Sequence, residues 1–245
     1  MTLVERDPAM TTEIKLPDGN AAAPRKPSRK PPILEQGDRL DRAEFERRYD
    51  AMPELKKAEL IEGIVSMSSP VSFSHGRPQA ILLGCFLAYD AATPGVLSVD
   101  NTSVRIDDQN MLQPDAALFI ESSKGGQARI GIDDYLEGAP ELLAEVSSTT
   151  ARTDLSSKFE LYRRSGVREY LVWRVGDKAI DWFVLRDGAY ERLAADESGI
   201  YRSVVFPGLW LDSRALIAGD LSSVLAVLAQ GLASEEHAAF KSSLG

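Results

Sequence analysis

The sequence predicts a mixed α/β or α+β fold built around one central sheet, and three observations carry that reading. The middle of the chain holds two strand-like runs, Val96 to Ile106 and Leu112 to Ile120, separated by the turn cluster Asp107-Asp108-Gln109-Asn110. A shorter run, Glu141 to Val146, is nearly continuous in apolar content around one acid, as a strand covered on both faces requires. Between it and the next strand, Glu169 to Val175, lies a helix-spaced segment, Thr153 to Ser165, that stops at Gly166.

Composition narrows the function classes. With 245 residues, 44% hydrophobic and 27% charged, the chain suits one domain with appended tails. Its longest apolar runs, such as Ala80 to Ala88, are far short of a spanning helix, and the N-terminus has no hydrophobic signal region, so no membrane is expected. The single cysteine, Cys85, excludes disulfides within the chain, Cys-rich zinc modules and iron–sulfur clusters, and it fits a reducing cytoplasm. His75 and His237 lie far apart, which excludes a three-histidine metal site. A metal here sits mainly on oxygen, which favours magnesium, manganese or calcium. The formal charge of −9 argues against a protein that coats nucleic acid indiscriminately, but it leaves room for a local basic cleft.

Residues 1–37 carry Pro8, Pro17-Asp18-Gly19-Asn20 and Pro31-Pro32 without a recurring apolar face, and are expected to be a disordered tail. Order is expected from Asp41, whose spacing to Glu44 matches a capping box, with Leu40, Phe45 and Tyr49 on one helical side. Ala58 to Met67 reads as two short strands around Glu62-Gly63. Ser72 or Ser74 caps the next helix, with Pro78 in its first turn and Ile81, Leu82, Cys85, Phe86 and Tyr89 facing the core. Residues 122–138 form a polar connection with a helical turn around 133–136. After Glu169 to Val175 come strands at 179–185 and 189–193, the second entered through Asp187-Gly188, then a strand at 201–206. Helices close the chain at 213–217 and 221–240. The expected division is a tail over 1–37, a domain over 38–218 and a helical extension over 219–245.

Three polar residues fit a bland core poorly. In Leu112 to Ile120, alternation puts Gln113, Asp115, Ala117 and Phe119 on one face, and both faces are largely apolar. A covered Asp115 needs a partner or a metal, unless it merely caps the strand start. Glu145 ends a buried-looking strand just before the polar run Ser147-Ser148-Thr149-Thr150, where sites in open sheets collect, although an edge glutamate facing water has the same sequence. Lys158 lies at the edge of the Leu155, Phe159 and Tyr162 stripe. It either points towards that carboxylate or snorkels outward to pair with Asp154. Two acids from neighbouring strands can hold one or two divalent cations, and a lysine beside them can orient water and screen developing charge. Acid, acid and lysine around a metal suits phosphodiester hydrolysis.

The order Gln113-Pro114-Asp115 then Glu145-Val146 resembles the Pro-Asp and (Asp/Glu)-x-Lys elements of the PD-(D/E)XK nuclease superfamily. More closely, the chain resembles the bacterial Uma-type family of restriction endonucleases. The matching stretches are Glu59-Leu60-Ile61-Glu62-Gly63, Met67 to Pro70, His75-Gly76, Pro114-Asp115, Glu145-Val146-Ser147-Ser148, and the run from Asp154 and Lys158 to Gly166-Val167-Arg168-Glu169-Tyr170. The resemblance implies a restriction-endonuclease-like core, a central mixed sheet flanked by helices, with Asp115 and Glu145 as ligands of Mg2+ or Mn2+. Ser147 stands where the superfamily's simplest pattern has lysine, and Lys158 matches the helix lysine taken to substitute for it. Thr149 replaces a usual proline. Glu59 matches an acid that some members add near the metal, and His75 matches a recurrent histidine able to cap its helix, contact phosphate or pack.

DNA is then the implied substrate. Arg152 to Arg174 carries six cations against three acids, which makes Arg152, Arg163 and Arg164 candidate contacts to it. Apolar surface on the hairpin after Gly176 and on the last helix suggests a homodimer. Two alternatives stay open: a catalytically silent nuclease-fold protein acting in nucleic-acid binding or regulation, and a two-carboxylate glycosidase, for which Lys158 has no clear role.

Overall fold

The computed structural model describes residues 31–68, 70–147 and 155–245. Asp41 caps α1 (Arg42–Tyr49) by accepting from the Glu44 amide at 2.8 Å, and Phe45 is buried on its inner side. Strands β1 (Ala58–Ile61) and β2 (Ile64–Met67) pair across Glu62 and Gly63, whose φ angles of 53° and 73° are those of a turn that matches strand twist. Helix α2 (Phe73–Ala92) buries Ile81, Leu82, Cys85, Phe86 and Tyr89. Because α2 begins at Phe73, Pro78 falls inside the helix rather than in its first turn. Burial pushes the Cys85 thiol up to about 12, so it behaves as a small apolar group.

The two long strands expected in the middle are each broken. Val96 to Ile106 divides into β3 (Val96–Val99) and β4 (Val104–Asp107); Leu112 to Ile120 divides into β5 (Asn110–Leu112) and β6 (Ala116–Ile120). The breaks lie side by side, since Val99 pairs with Ala117 and Val104 pairs with Leu112. Pro114 has no N–H to give a ladder, and Asn101 turns the other strand with φ of 46°. One long ribbon is thereby bent, and its two halves join different sheets. The expected helical turn at 133–136 is instead a tight connection between β7 (Arg129–Ile130) and β8 (Leu136–Glu137).

The rest follows the chain order β9 (Leu142–Ser147), α3 (Ser157–Ser165), β10 (Glu169–Arg174), β11 (Ala179–Arg186), β12 (Ala189–Arg192), β13 (Ile200–Arg202), β14 (Trp210–Asp212), α4 (Ser213–Ala218), α5 (Leu221–Leu232) and α6 (Glu235–Leu244). Gly166 ends α3 with φ of 83°, a left-handed cap that costs glycine little. The single helix expected over 221–240 breaks at Ala233 and Ser234, and Ser234 caps α6.

The fold is α+β with two six-stranded mixed sheets instead of one. The first has the order β2-β1-β5-β4-β8-β7, the second β12-β11-β10-β9-β6-β3, and β13 pairs with β14 separately. In the second sheet β9 and β10 are parallel and central. One face packs Leu118, Ala144, Leu171 and Trp182 against Phe86 and Tyr89 of α2. The other packs Ala117, Leu143, Tyr170 and Val172 against Leu161 and Tyr162 of α3. The first sheet covers Phe45 of α1 with Leu60, Val65 and Met111. Packing begins before Asp38: Leu34 is buried in this cluster, and the Gly37 amide donates to Val65 O at 2.8 Å.

The 219–245 segment also contributes to the core. Val224, Leu228 and Leu244 join the α2 side of the second sheet, and His237 is fully buried between Thr93 Oγ1 at 2.9 Å and Leu232 O at 2.8 Å. Leu228→Ala is expected to lower stability by about 2–5 kcal/mol in urea unfolding, because it leaves a cavity in the main core. A change within a few tenths of a kcal/mol would mean the segment is only an appendage.

Candidate active site

Three of the buried carboxylates, Glu59, Asp115 and Glu145, come from strands or from the bend between strands. The β6–β9 register pairs Ala116 with Ala144 and Ala117 with Leu143, so one further step sets Asp115 opposite Glu145. Opposed residues share a face, and here it is the α3 face that also holds Ala117 and Leu143. Asp115 lies at the ribbon bend. Its Oδ2 accepts from the Val146 amide at 2.8 Å and stands 3.4 Å from His75 Nε2, while Oδ1 accepts from Lys57 Nζ at 3.2 Å.

Burial opposes ionisation of Asp115. The His75 hydrogen bond, the Lys57 charge and the Val146 amide outweigh it and hold the carboxyl below its ordinary value. Gln79 Nε2, one turn beyond His75 on α2, donates to Asp115 O at 3.2 Å and to Asp100 Oδ1 at 2.9 Å. The N-terminal end of α2 is thus tied to the bend.

Glu145 and Glu59 share a cation. Lys158 Nζ donates to Glu145 Oε1 at 2.9 Å and to Glu59 Oε1 at 3.0 Å, and Lys158 is itself only 5% exposed. The Tyr162 hydroxyl donates to the same Glu145 oxygen at 3.1 Å, and the Gln113 amide donates to Glu59 Oε1 at 2.9 Å. Of the two readings of Lys158 left open by the sequence, the inward one is the arrangement observed; Asp154 lies outside the described residues.

Sequence reasoning brought five of these residues forward: Asp115, Glu145, Lys158, Glu59 and His75. The structure gathers them into two linked groups, Asp115 with His75, and Glu145 with Glu59 and Lys158. It adds Lys57 and Tyr162, which the sequence reading passed over. Both had a signal: Lys57 shares a strand-like period of two with Glu59, and Tyr162 follows Lys158 by four on the same helix. Of the arginines proposed for nucleic acid, Arg152 lies outside the described residues. Arg163 pairs with Glu160 at 2.9 Å, and Arg164 pairs with Glu62 at 2.7 Å.

The donor set fits a hard divalent cation. Among the described residues, three carboxylates face two ammonium groups, Lys57 and Lys158, which leaves one formal negative charge when His75 is neutral. The oxygens belong to carboxylates, as magnesium and manganese prefer. Among the described residues no group of three His, Cys, Asp or Glu side chains forms a complete metal cage. A pair, Asp115 and Glu145, suits magnesium, which keeps several of its waters and takes one or two protein carboxylates.

The chain matches the Uma2 family, described as "Putative restriction endonuclease", over residues 42–214. It is also similar to the crystal structure of "a putative nuclease belonging to DUF820" from Anabaena variabilis, with a TM-score of 0.53 and 15% identity. That likeness covers 69% of this chain and 97% of the other, and it speaks to the fold alone. No curated protein matches the chain. Among the described residues, no helix is long and apolar enough to cross a membrane.

The ion-pair geometry yields a stability prediction. Lys158→Met leaves Glu145 and Glu59 facing a buried site without their shared ammonium. The expected cost is about 3–5 kcal/mol in urea unfolding at neutral pH. Adding Glu59→Gln should recover part of it, and full additivity of the two changes would show that the lysine and the glutamate are not coupled.

Proposed function

This chain belongs to the Uma2 family, and from that premise we propose that it is a metal-dependent endonuclease hydrolysing DNA phosphodiester bonds. The observation that carries the reading is the opposition of Asp115 and Glu145 on one sheet face, with a buried Lys158 against Glu145. We assign the activity to residues 38–218, with Asp115 and Glu145 holding Mg2+ or Mn2+. When bound there, the cation supplies an acidified water and stabilises charge on a phosphoryl oxygen.

The chain's own residues do the remaining work. Lys158 sets a fixed positive charge beside the reacting phosphate, with Glu59 and Glu145 restraining its ammonium. Tyr162 orients the Glu145 carboxylate through Oε1. His75 and Lys57 orient Asp115 and keep it ionised, so that it is ready to ligate. Glu59 is a positioning residue for Lys158 in this reading. A reducing cytoplasm suits the single buried cysteine, and a homodimer suits an enzyme that cuts both strands.

A binding-only protein on the same fold is the second reading, favoured by the −9 charge and by the ion pairs that occupy Arg163 and Arg164. Plasmid nicking separates the two. Wild type should nick supercoiled DNA with magnesium or manganese and stop with EDTA. Asp115→Asn and Lys158→Ala should each lower the rate by about a hundredfold or more while retaining most DNA binding, because both act at the reacting phosphate. Binding without any nicking at low salt with either metal would establish the regulatory reading.

A further inference from the structure

The cations near the site divide into those already paired and those that are not. On the outer side of α3, Arg163 and Arg164 are held by Glu160 and Glu62, and Arg174 is held by Asp177 and Asp181. At the N-terminal end of α2 the situation is reversed. Arg77 and Lys178 are exposed, and no acid among the described residues lies within ion-pair distance of either. They flank an open groove of about 300 Å³ with Phe73, Trp173, Val175 and Ile217 in its wall and no acidic residue in its lining.

Phe73 stands out within it, 85% exposed on the first residue of α2. An aromatic ring left in water beside two unpaired cations, with no acid among them, has the chemistry of a platform for a base with its phosphates alongside. The groove lies at the same end of β9 and β10 as the carboxylates, on the α2 face, whereas Asp115 and Glu145 take the α3 face. Trp173 is paired with Val146, the residue after Glu145, and His75, two residues along from Phe73, reaches Asp115. A strand whose phosphate lies at the carboxylates would pass round the ends of β9 and β10 to reach this groove.

Resting on the nuclease reading, we propose that the Phe73–Arg77–Lys178 surface binds the nucleic-acid strand flanking the cleavage point, with Phe73 stacking on a base and the two cations on phosphates. The outer face of α3, which sequence charge counting favoured, is then a minor contributor, because its arginines must first give up their acids.

The test is fluorescence anisotropy with a fluorescein-labelled phosphorothioate duplex and its single strand, with and without magnesium, alongside plasmid nicking by the same preparations. Arg77→Ala with Lys178→Ala should flatten the log–log salt slope by about 1.4 to 1.8, the release expected from two phosphates. Phe73→Ala and Phe73→Leu should each weaken binding about tenfold, the leucine variant showing that the loss is aromatic rather than apolar. Arg163→Ala with Arg164→Ala should move the slope by less than the first pair. These side chains are exposed, so the melting temperatures should match wild type. If wild type nicks DNA but the groove variants bind like it, or the α3 pair carries the salt slope, this assignment fails and the nuclease reading stands. Sedimentation in which Phe73→Ala splits a dimer at unchanged oligonucleotide affinity makes the groove a protein interface and overturns the proposal. Wild type that neither binds nor nicks, with or without magnesium, overturns both.

Discussion

A carboxylate enclosed by protein must be supplied with donors or it will take up a proton, and three of them, one from the first sheet, one at the ribbon bend and one from the second sheet, impose that demand here. Glu59, Asp115 and Glu145 meet it with a small set of groups: Lys158 shared between two glutamates, Lys57 and His75 on the aspartate, and amides of Gln113 and Val146. The helix, both sheets and the start of α2 are all tied to one another through these contacts. Such an arrangement contributes little net stability compared with an apolar replacement, but it fixes where each charge stands. In the proposed nuclease reading, that restraint is what holds Lys158 towards a phosphate.

The bend in the ribbon makes the arrangement available. Where β5 gives way to β6, Pro114 withholds an N–H and the ladder lapses. Backbone groups released there need partners, and the site carboxylates serve: Glu59 takes the Gln113 amide, and Asp115 takes the Val146 amide across the sheet. The acids that prepare the site also seal the discontinuity that creates it. Structure and chemistry therefore use the same atoms, and changes at Glu59 or Asp115 act on both.

Net charge describes this surface poorly. The chain is acidic overall, and its arginines cluster in sequence around α3, but clustering along a helix brings acids with it. What matters for a polyanion is which cations lack a local partner, and that depends on side chains brought together from α2, the β10–β11 turn and α4.

By itself the sequence determined most of the element order and the helix and turn boundaries, because these rest on local signals: the Asp41 cap, the Glu62-Gly63 and Asp187-Gly188 turns, and the Gly166 stop. It also singled out Asp115, Glu145 and Lys158, since a polar residue within an apolar run stands out wherever it occurs. Alternation alone did not reveal that the two middle strands are broken, because the hydrophobic period continues through the bend while the hydrogen-bonding partners change. The two-sheet architecture was hidden for the same reason. Burial alone does not distinguish Glu145 from Glu141 and Glu169, which are also buried. Glu141 accepts from the Ile120 and Gln127 amides, and Glu169 from the Val204 and Val205 amides, Ser203 and Trp182, so both secure backbone and core. Glu145 instead meets a lysine and a tyrosine from α3. Burial raises the same demand at all three positions, and only the tertiary structure decides who answers it, because the donors come from segments remote in the chain.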